Sequence, residues 1–144
     1  MKSIGTAEFA ILECDVPTKY STMIYPRAVV QKAISNHALL GLGTLDTMGE
    51  LALDASKVSH QVIDMWIDSD NIWYAKISFL DTVKGHLALQ MHMLGILRLT
   101  SIGICSTDMH NVMSDYRLIY TTLLLTGPSK SNSPAQKIKL GISQ

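Results

Sequence analysis

A hydroxyl attacks a carbonyl only when a rigid element aims it and a base takes its proton. Ser101 meets the first condition best. It lies in Gly95-Ile96-Leu97-Arg98-Leu99-Thr100-Ser101-Ile102-Gly103-Ile104, where an apolar strand pattern follows Gly95. Thr100 flanks it, and Gly103 leaves room for a substrate backbone. The same features suit an ordinary strand serine, so a base decides the matter. Of the five histidines, His37 and His110 fall in loops. His86 and His92 lie six apart on one helical pattern and do not share a face as a ligand pair. His60 falls on a strand pattern and is the best candidate base, although a strand histidine hydrogen-bonded to its surroundings is the simpler reading. No pair has zinc spacing. Asp46, Asp54, Asp64, Asp68 and Asp70 read as solvated loop and turn acids. Neither a metal nor a cofactor is expected.

These residues need elements to position them. Residues 6–16 alternate as a strand, with Ala7, Phe9 and Ile11 on one side, and Pro17 ends it. Pro26 suits the first turn of a helix over 26–36, whose apolar face is Val29, Val30, Ala33 and Ile34. Ala38 to Leu42 is a short apolar run bounded by Gly41 and Gly43, and Thr44 to Lys57 reads as a long loop. Val58–Asp68 and Ile72–Leu80 flank the turn Ser69-Asp70-Asn71 and predict an antiparallel hairpin with Trp73, Ile77 and Phe79 inward. Asp81-Thr82 caps a helix from Val83 to Leu94, and Gly95 stops it. Ile96–Ile104 and Tyr116–Thr126 are the last strands. The order β-α-β-β-β-α-β-β predicts an α+β fold, a mainly antiparallel sheet or small barrel with two helices.

Composition narrows the class. A length of 144 residues fits one domain with a core, and 47% apolar residues suit a globular chain. Twelve basic and twelve acidic side chains cancel, which argues against a nucleic-acid partner and leaves little repulsion against self-association. No apolar run approaches the ~20 residues of a membrane span, and Met1-Lys2-Ser3-Ile4-Gly5 does not open a secretory signal. Cys14 and Cys105 give no disulfide framework and fit small buried residues or a reducing compartment. Residues 1–128 read as the domain, and Ser129–Gln144, rich in Ser, Lys and Pro, as an extended or disordered arm.

Several segments together resemble the prohead core proteases of tailed bacteriophages, serine proteases similar in fold to herpesvirus assemblins. Tyr25-Pro26 before a helix resembles that family's R-x-Y-P. Leu42-Gly43-Thr44-Leu45-Asp46-Thr47, followed by Val58-Ser59-His60 and Ile63-Asp64-Met65-Trp66, resembles L-G-E-L-[ND]-H-P and a strand ending D-M-W. Gly95 to Gly103 resembles G-x-x-x-G-V-S-S-R-G and puts Ser101 on the nucleophile. Residues 116–126 with Gly127-Pro128-Ser129 resemble its last core strand and Pro-Ser ending. The likeness spans about residues 20–130.

The departures carry the functional expectation. The family's catalytic histidine falls on Thr47, its G-E-L glutamate on Thr44, and the S-R-G after the nucleophile becomes Ile102-Gly103-Ile104. Losing the base of such a site costs on the order of 10⁴–10⁶ in rate. The resemblance therefore implies an inactive relative with vestigial Ser101 and Thr47 facing each other. It implies a structural protein of the virion head, made in the bacterial cytoplasm: a decoration, cement or minor capsid component. Its expected partners are the major capsid protein, other virion subunits and copies of itself, without nucleic acid or membrane. The alternatives are an active maturation endopeptidase that cleaves scaffold and capsid proteins, using Ser101 with His60 or another histidine as base, and a tube or connector subunit.

Overall fold

The computed structural model describes residues 2–19, 21–37, 41–47 and 50–126. Among the described residues, six strands and two α-helices follow the expected order. Strand β1 is Ser3–Glu13, helix α1 Arg27–Ser35, β2 Leu42–Leu45, β3 Val58–Ile67, β4 Ile72–Leu80, α2 Val83–Met93, β5 Leu97–Thr107 and β6 Met113–Leu125. The strands form one sheet in the order β1-β4-β3-β2-β6-β5. Every pairing is antiparallel except β2 with β6. The sheet curls until its edge strands β1 and β5 lie against each other, without a ladder between them. The result is an α+β half-barrel, as the alternation along the chain predicts.

The hairpin forms as expected. Trp73, Ala75, Ile77 and Phe79 alternate along β4 into the main core, which also holds Phe9, Leu97, Leu99 and Leu123. On the other face of the hairpin Trp66 stacks on Tyr74, with ring centroids 5.7 Å apart. Helix α2 begins where Thr82 Oγ1 accepts from the Gly85 N–H at 2.9 Å, and it ends before Gly95, whose φ of 71° suits only glycine comfortably. Gly85 lets the first turn sit on the Leu80 carbonyl, which a Cβ would strike. The far end of the helix places the His92 ring against Phe9 and Phe79. Helix α1 buries Val30 and Ala33 in the same core. Pro26 stands one position outside it, as the residue before the first turn.

Several boundaries differ from the sequence reading: β1 spans Ser3–Glu13 rather than 6–16, ending in a turn at Cys14-Asp15 before Pro17 is reached. Thr44 and Leu45 do not open a loop; they finish β2. A four-residue strand carries almost no alternation, and this one is held by ladders on both sides. Strands β5 and β6 also run further than expected and meet in a turn over 108–112, where Asp108 Oδ1 accepts from the backbone of His110 and Val112. Residues 38–40 of the apolar run, and Gly127-Pro128 with the 129–144 arm, lie outside the described residues.

Phe79 is fully buried, so Phe79→Ala is expected to cost about 3–5 kcal/mol. Denaturant unfolding checks this: the midpoint falls while the slope stays near the parent value.

Candidate functional site

Residues directly opposite each other in a ladder share a face, and neighbours along a strand alternate. At the centre of this sheet the rule lays down two rows of hydroxyls on opposite faces. Ser101 of β5 pairs with Thr121 of β6, Thr121 with Gly43 of β2, and Gly43 with His60 of β3. This row faces the core, as Leu97 and Leu99 do on the same strand as Ser101. On the outer face Thr100 pairs with Thr122, and Thr122 with Thr44.

The inner row is tightly engaged. Gly43 has no side chain, and a Cβ there would collide with His60 Nε2. The imidazole therefore passes over Gly43 and reaches Thr121 Oγ1 at 2.7 Å. Its other nitrogen, Nδ1, meets Ser59 Oγ at 2.8 Å. His60 is wholly buried, and burial lowers its pKa to about 3. It stays neutral with both nitrogens occupied. Ser101, half-buried, accepts from the Tyr116 hydroxyl at 2.7 Å. Tyr116 lies over Gly103, whose missing Cβ leaves space for the phenol, and packs edge-on against Tyr25. Burial pushes the Tyr116 hydroxyl well above its ordinary pKa, so it remains a donor and takes no proton from Ser101.

The outer row contains Thr47. Asp46 turns the chain after β2 with a φ of 61°, and its N–H donates to the Leu123 carbonyl at 2.8 Å. That turn lays Thr47 over β6, where its N–H donates to Thr122 Oγ1 at 3.1 Å. Thr44 Oγ1 also donates to Thr122 Oγ1, at 3.2 Å. Thr47 Oγ1 is buried without a hydrogen-bond partner among the described residues. Further along the same segment the Glu50 carbonyl accepts from the Tyr120 hydroxyl at 2.6 Å.

The expected facing of Thr47 and Ser101 is therefore not found. Ser101 belongs to the inner row, and Thr47 bonds to a member of the outer one. The β5 hydroxyl on the Thr47 side of the sheet is that of Thr100, which the sequence reading treated only as a neighbour. A signal for it was present: Leu97 and Leu99 mark the inward positions, so Ser101 continues inward and Thr100 outward. His60 does not touch Ser101 but holds its cross-strand partner, Thr121. Ser101 and Thr100 both line a cleft of about 460 Å³ between β5 and β1, with Ile11, Glu13, Tyr25 and Ile102 among its other walls.

The remaining candidates have structural duties. His86 pairs with Asp81 at 2.7 Å on the exposed start of α2. Asp54 accepts from Ser56 at 2.9 Å, and Asp68 from Asp70 and Ile72 in the hairpin turn. Cys14 is buried, which raises its thiol to about 11, and neither cysteine forms a disulfide. Among the described residues no three His, Cys, Asp or Glu side chains cluster as metal ligands, and no helix is long and apolar enough to cross a membrane.

No protein-family model matches the chain, and no curated protein does. Among solved structures it is similar to the bacteriophage T4 capsid assembly protease, gp21. The TM-score is 0.70 at 21% identity, over 85% of this chain and 82% of that one. The fold is thus prohead-protease-like.

The pH dependence of stability follows from His60. The unfolded histidine takes a proton near its ordinary value of 6.5, and the folded one only near 3. The unfolded state binds more protons between those values, so stability present above pH 6.5 is lost as pH falls toward 3. Burial of His92 acts in the same direction. Each such group contributes a slope of at most about 1.4 kcal/mol per pH unit. Denaturant midpoints measured from pH 7.5 to 4.5 are expected to fall in the parent and to flatten in His60→Gln.

Proposed function

We propose that this protein is a non-cleaving component of a tailed-phage head, built on the prohead-protease fold. The carrying observation is that among the described residues neither the Ser101 nor the Thr47 hydroxyl is bonded to a base. Ser101 is held by a tyrosine that only donates, His60 is neutral with both ring nitrogens engaged, and the outer face offers Thr47 beside Thr122. Alcohols hydrogen-bonded to alcohols take no proton at neutral pH. Sequence resemblance supports the same reading, because the position that matches the family's catalytic histidine is Thr47. The fold likeness to a capsid assembly protease supports the phage head as the setting. Its job there is structural, as a decoration, cement or minor capsid protein. Its partners are then the major capsid protein and other virion subunits, and its location is the virion.

A second reading, an active maturation endopeptidase, is favoured by one observation. Ser101 lines a cleft and stands opposite Thr121, the hydroxyl that His60 holds. A small rearrangement that moved His60 from Thr121 to Ser101 would supply a base.

The two readings differ in a direct experiment. Phage carrying Thr100→Ala with Ser101→Ala are expected to process their capsid and scaffold proteins as the parent does. Mass spectrometry of purified virions is expected to find the protein at full length and in stoichiometric amount. Blocked cleavage with the variant still folded, or a protein present only in traces and self-cleaved, establishes the protease instead.

A further inference from the structure

Helix α2 buries one side only. Gly85 and Ala88 are buried, and the His92 ring packs on Phe9 and Phe79. The opposite side carries Val83, His86, Leu87, Gln90, Met93 and Leu94, all exposed. Their spacing, i, i+3, i+4, i+7, i+10 and i+11, is that of one continuous helical stripe. The water-facing stripe of a helix is ordinarily polar, yet here only His86 and Gln90 are. Val83, Leu87, Met93 and Leu94 keep 85%, 40%, 78% and 74% of their surface in water. Together that is about 500 Å² of exposed surface, a size at which an apolar patch on a monomer is often functional.

The stripe is complementary to itself. Its apolar ends, Val83 and Met93-Leu94, flank a polar middle at His86 and Gln90. When two copies of α2 pack antiparallel about a two-fold axis level with residues 88 and 89, Val83 of one meets Leu94 of the other, and Leu87 meets Gln90. Gln90 then stands within one helical rise, about 1.5 Å, of the level of the second copy's His86. An amide beside an imidazole at the centre fixes the register, as a polar residue does in a helical seam. The antiparallel arrangement also sends the two Lys84 ammonium groups to opposite ends and opposes the helix dipoles. A parallel pair would set Lys84 beside Lys84 and His86 beside His86. The chain carries no net charge, so no general repulsion resists the contact. The area suffices. Two stripes bury about 1,000 Å² from their apolar residues alone, the size from which a specific interface becomes plausible, and His86 and Gln90 add to it.

We infer that the exposed stripe of α2 is the contact between two copies of this chain, packed antiparallel in a symmetric dimer. The inference rests on α2 and holds for either reading of Ser101 and His60, so its failure and theirs are separable.

Sedimentation velocity on the full chain over about 1–100 μM tests it. The parent is expected to dimerise within that range. Two variants at the exposed ends of the stripe read its geometry, with circular dichroism confirming that both stay folded. Val83→Lys with Leu94→Lys brings like charges together in either orientation. Val83→Glu with Leu94→Lys suits the dipole of the helix itself and brings opposite charges together only in the antiparallel pair. The second variant is expected to dimerise about tenfold more tightly than the first. A monomeric parent over the whole range overturns the inference, as does a dimer that the first variant leaves intact. Equal weakening by both variants overturns the antiparallel arrangement. A photo-cross-linking residue in place of Gln90 is expected to join two chains through α2. A cross-link instead to residues 127–144 of the same chain, or in infected cells to the major capsid protein, gives the stripe to that occupant and overturns the inference.

Discussion

The sheet is continuous because of β2. Its four residues join the β1-β4-β3 half to the β6-β5 half, antiparallel on one side and parallel on the other. Each position in it is constrained. Gly43 must lack a Cβ because the His60 ring crosses above it on the way to Thr121. Thr44 turns the other way and ties into Thr122. Asp46 then takes a left-handed turn that folds the following segment onto the outer face of β6. Removing this strand would part the two halves and dissolve both rows of hydroxyls. The order of the fold and the chemistry of its centre therefore rest on the same short ladder.

That arrangement also sets the limits of the chemistry. Burying an imidazole disfavours its charged form, and a buried imidazole must find partners for both nitrogens. Ser59 and Thr121 supply them. The result is a well-satisfied core histidine and, for the same reason, a poor general base. Ser101 is under a similar constraint. Its neighbour Tyr116 is pressed into space left by Gly103 and donates to it. An accepted hydrogen bond lowers the basicity of an alkoxide but does nothing to remove the proton from an alcohol. His60 is thus ordered by the core, and Ser101, at the wall of the cleft, is held by Tyr116 rather than by a base.

Much of this was legible in the sequence where periodicity is strong. The hairpin of β3 and β4 shows a clean alternation of Trp73, Ala75, Ile77 and Phe79, and α2 is bounded by Thr82 and Gly95, whose side-chain oxygen and left-handed backbone act locally. The extent of β2 was not legible: the apolar run 38–42 marks a strand here, but Thr44 and Leu45 join it only through two partners distant in the chain, and Leu-Gly-Thr-Leu has no preference of its own to reveal them. The placement of Thr47 failed for a related reason. Motif matching fixes residues along the chain, whereas a one-residue difference in a strand reverses the face. Thr100 and Ser101 are adjacent in sequence and lie on opposite sides of the sheet, and only the inward alternation of Leu97 and Leu99 distinguishes them. The role of His60 was partly visible: a strand histidine bonded to its surroundings was the simpler reading, but its partners lie on β3 itself and on β6, 61 positions away.

The central claim is that this histidine is a structural group and not a base. Titration of the imidazole nitrogen shifts by nuclear magnetic resonance in uniformly ¹⁵N-labelled protein addresses it directly. The account predicts a neutral His60 ring throughout the range in which the protein stays folded, with no protonation step between pH 8 and 5 and no change in its shifts when Ser101 is replaced by alanine. A His60 midpoint near 6–7 that moves on Ser101→Ala would contradict it, because such a ring exchanges protons at neutral pH and is coupled to that hydroxyl.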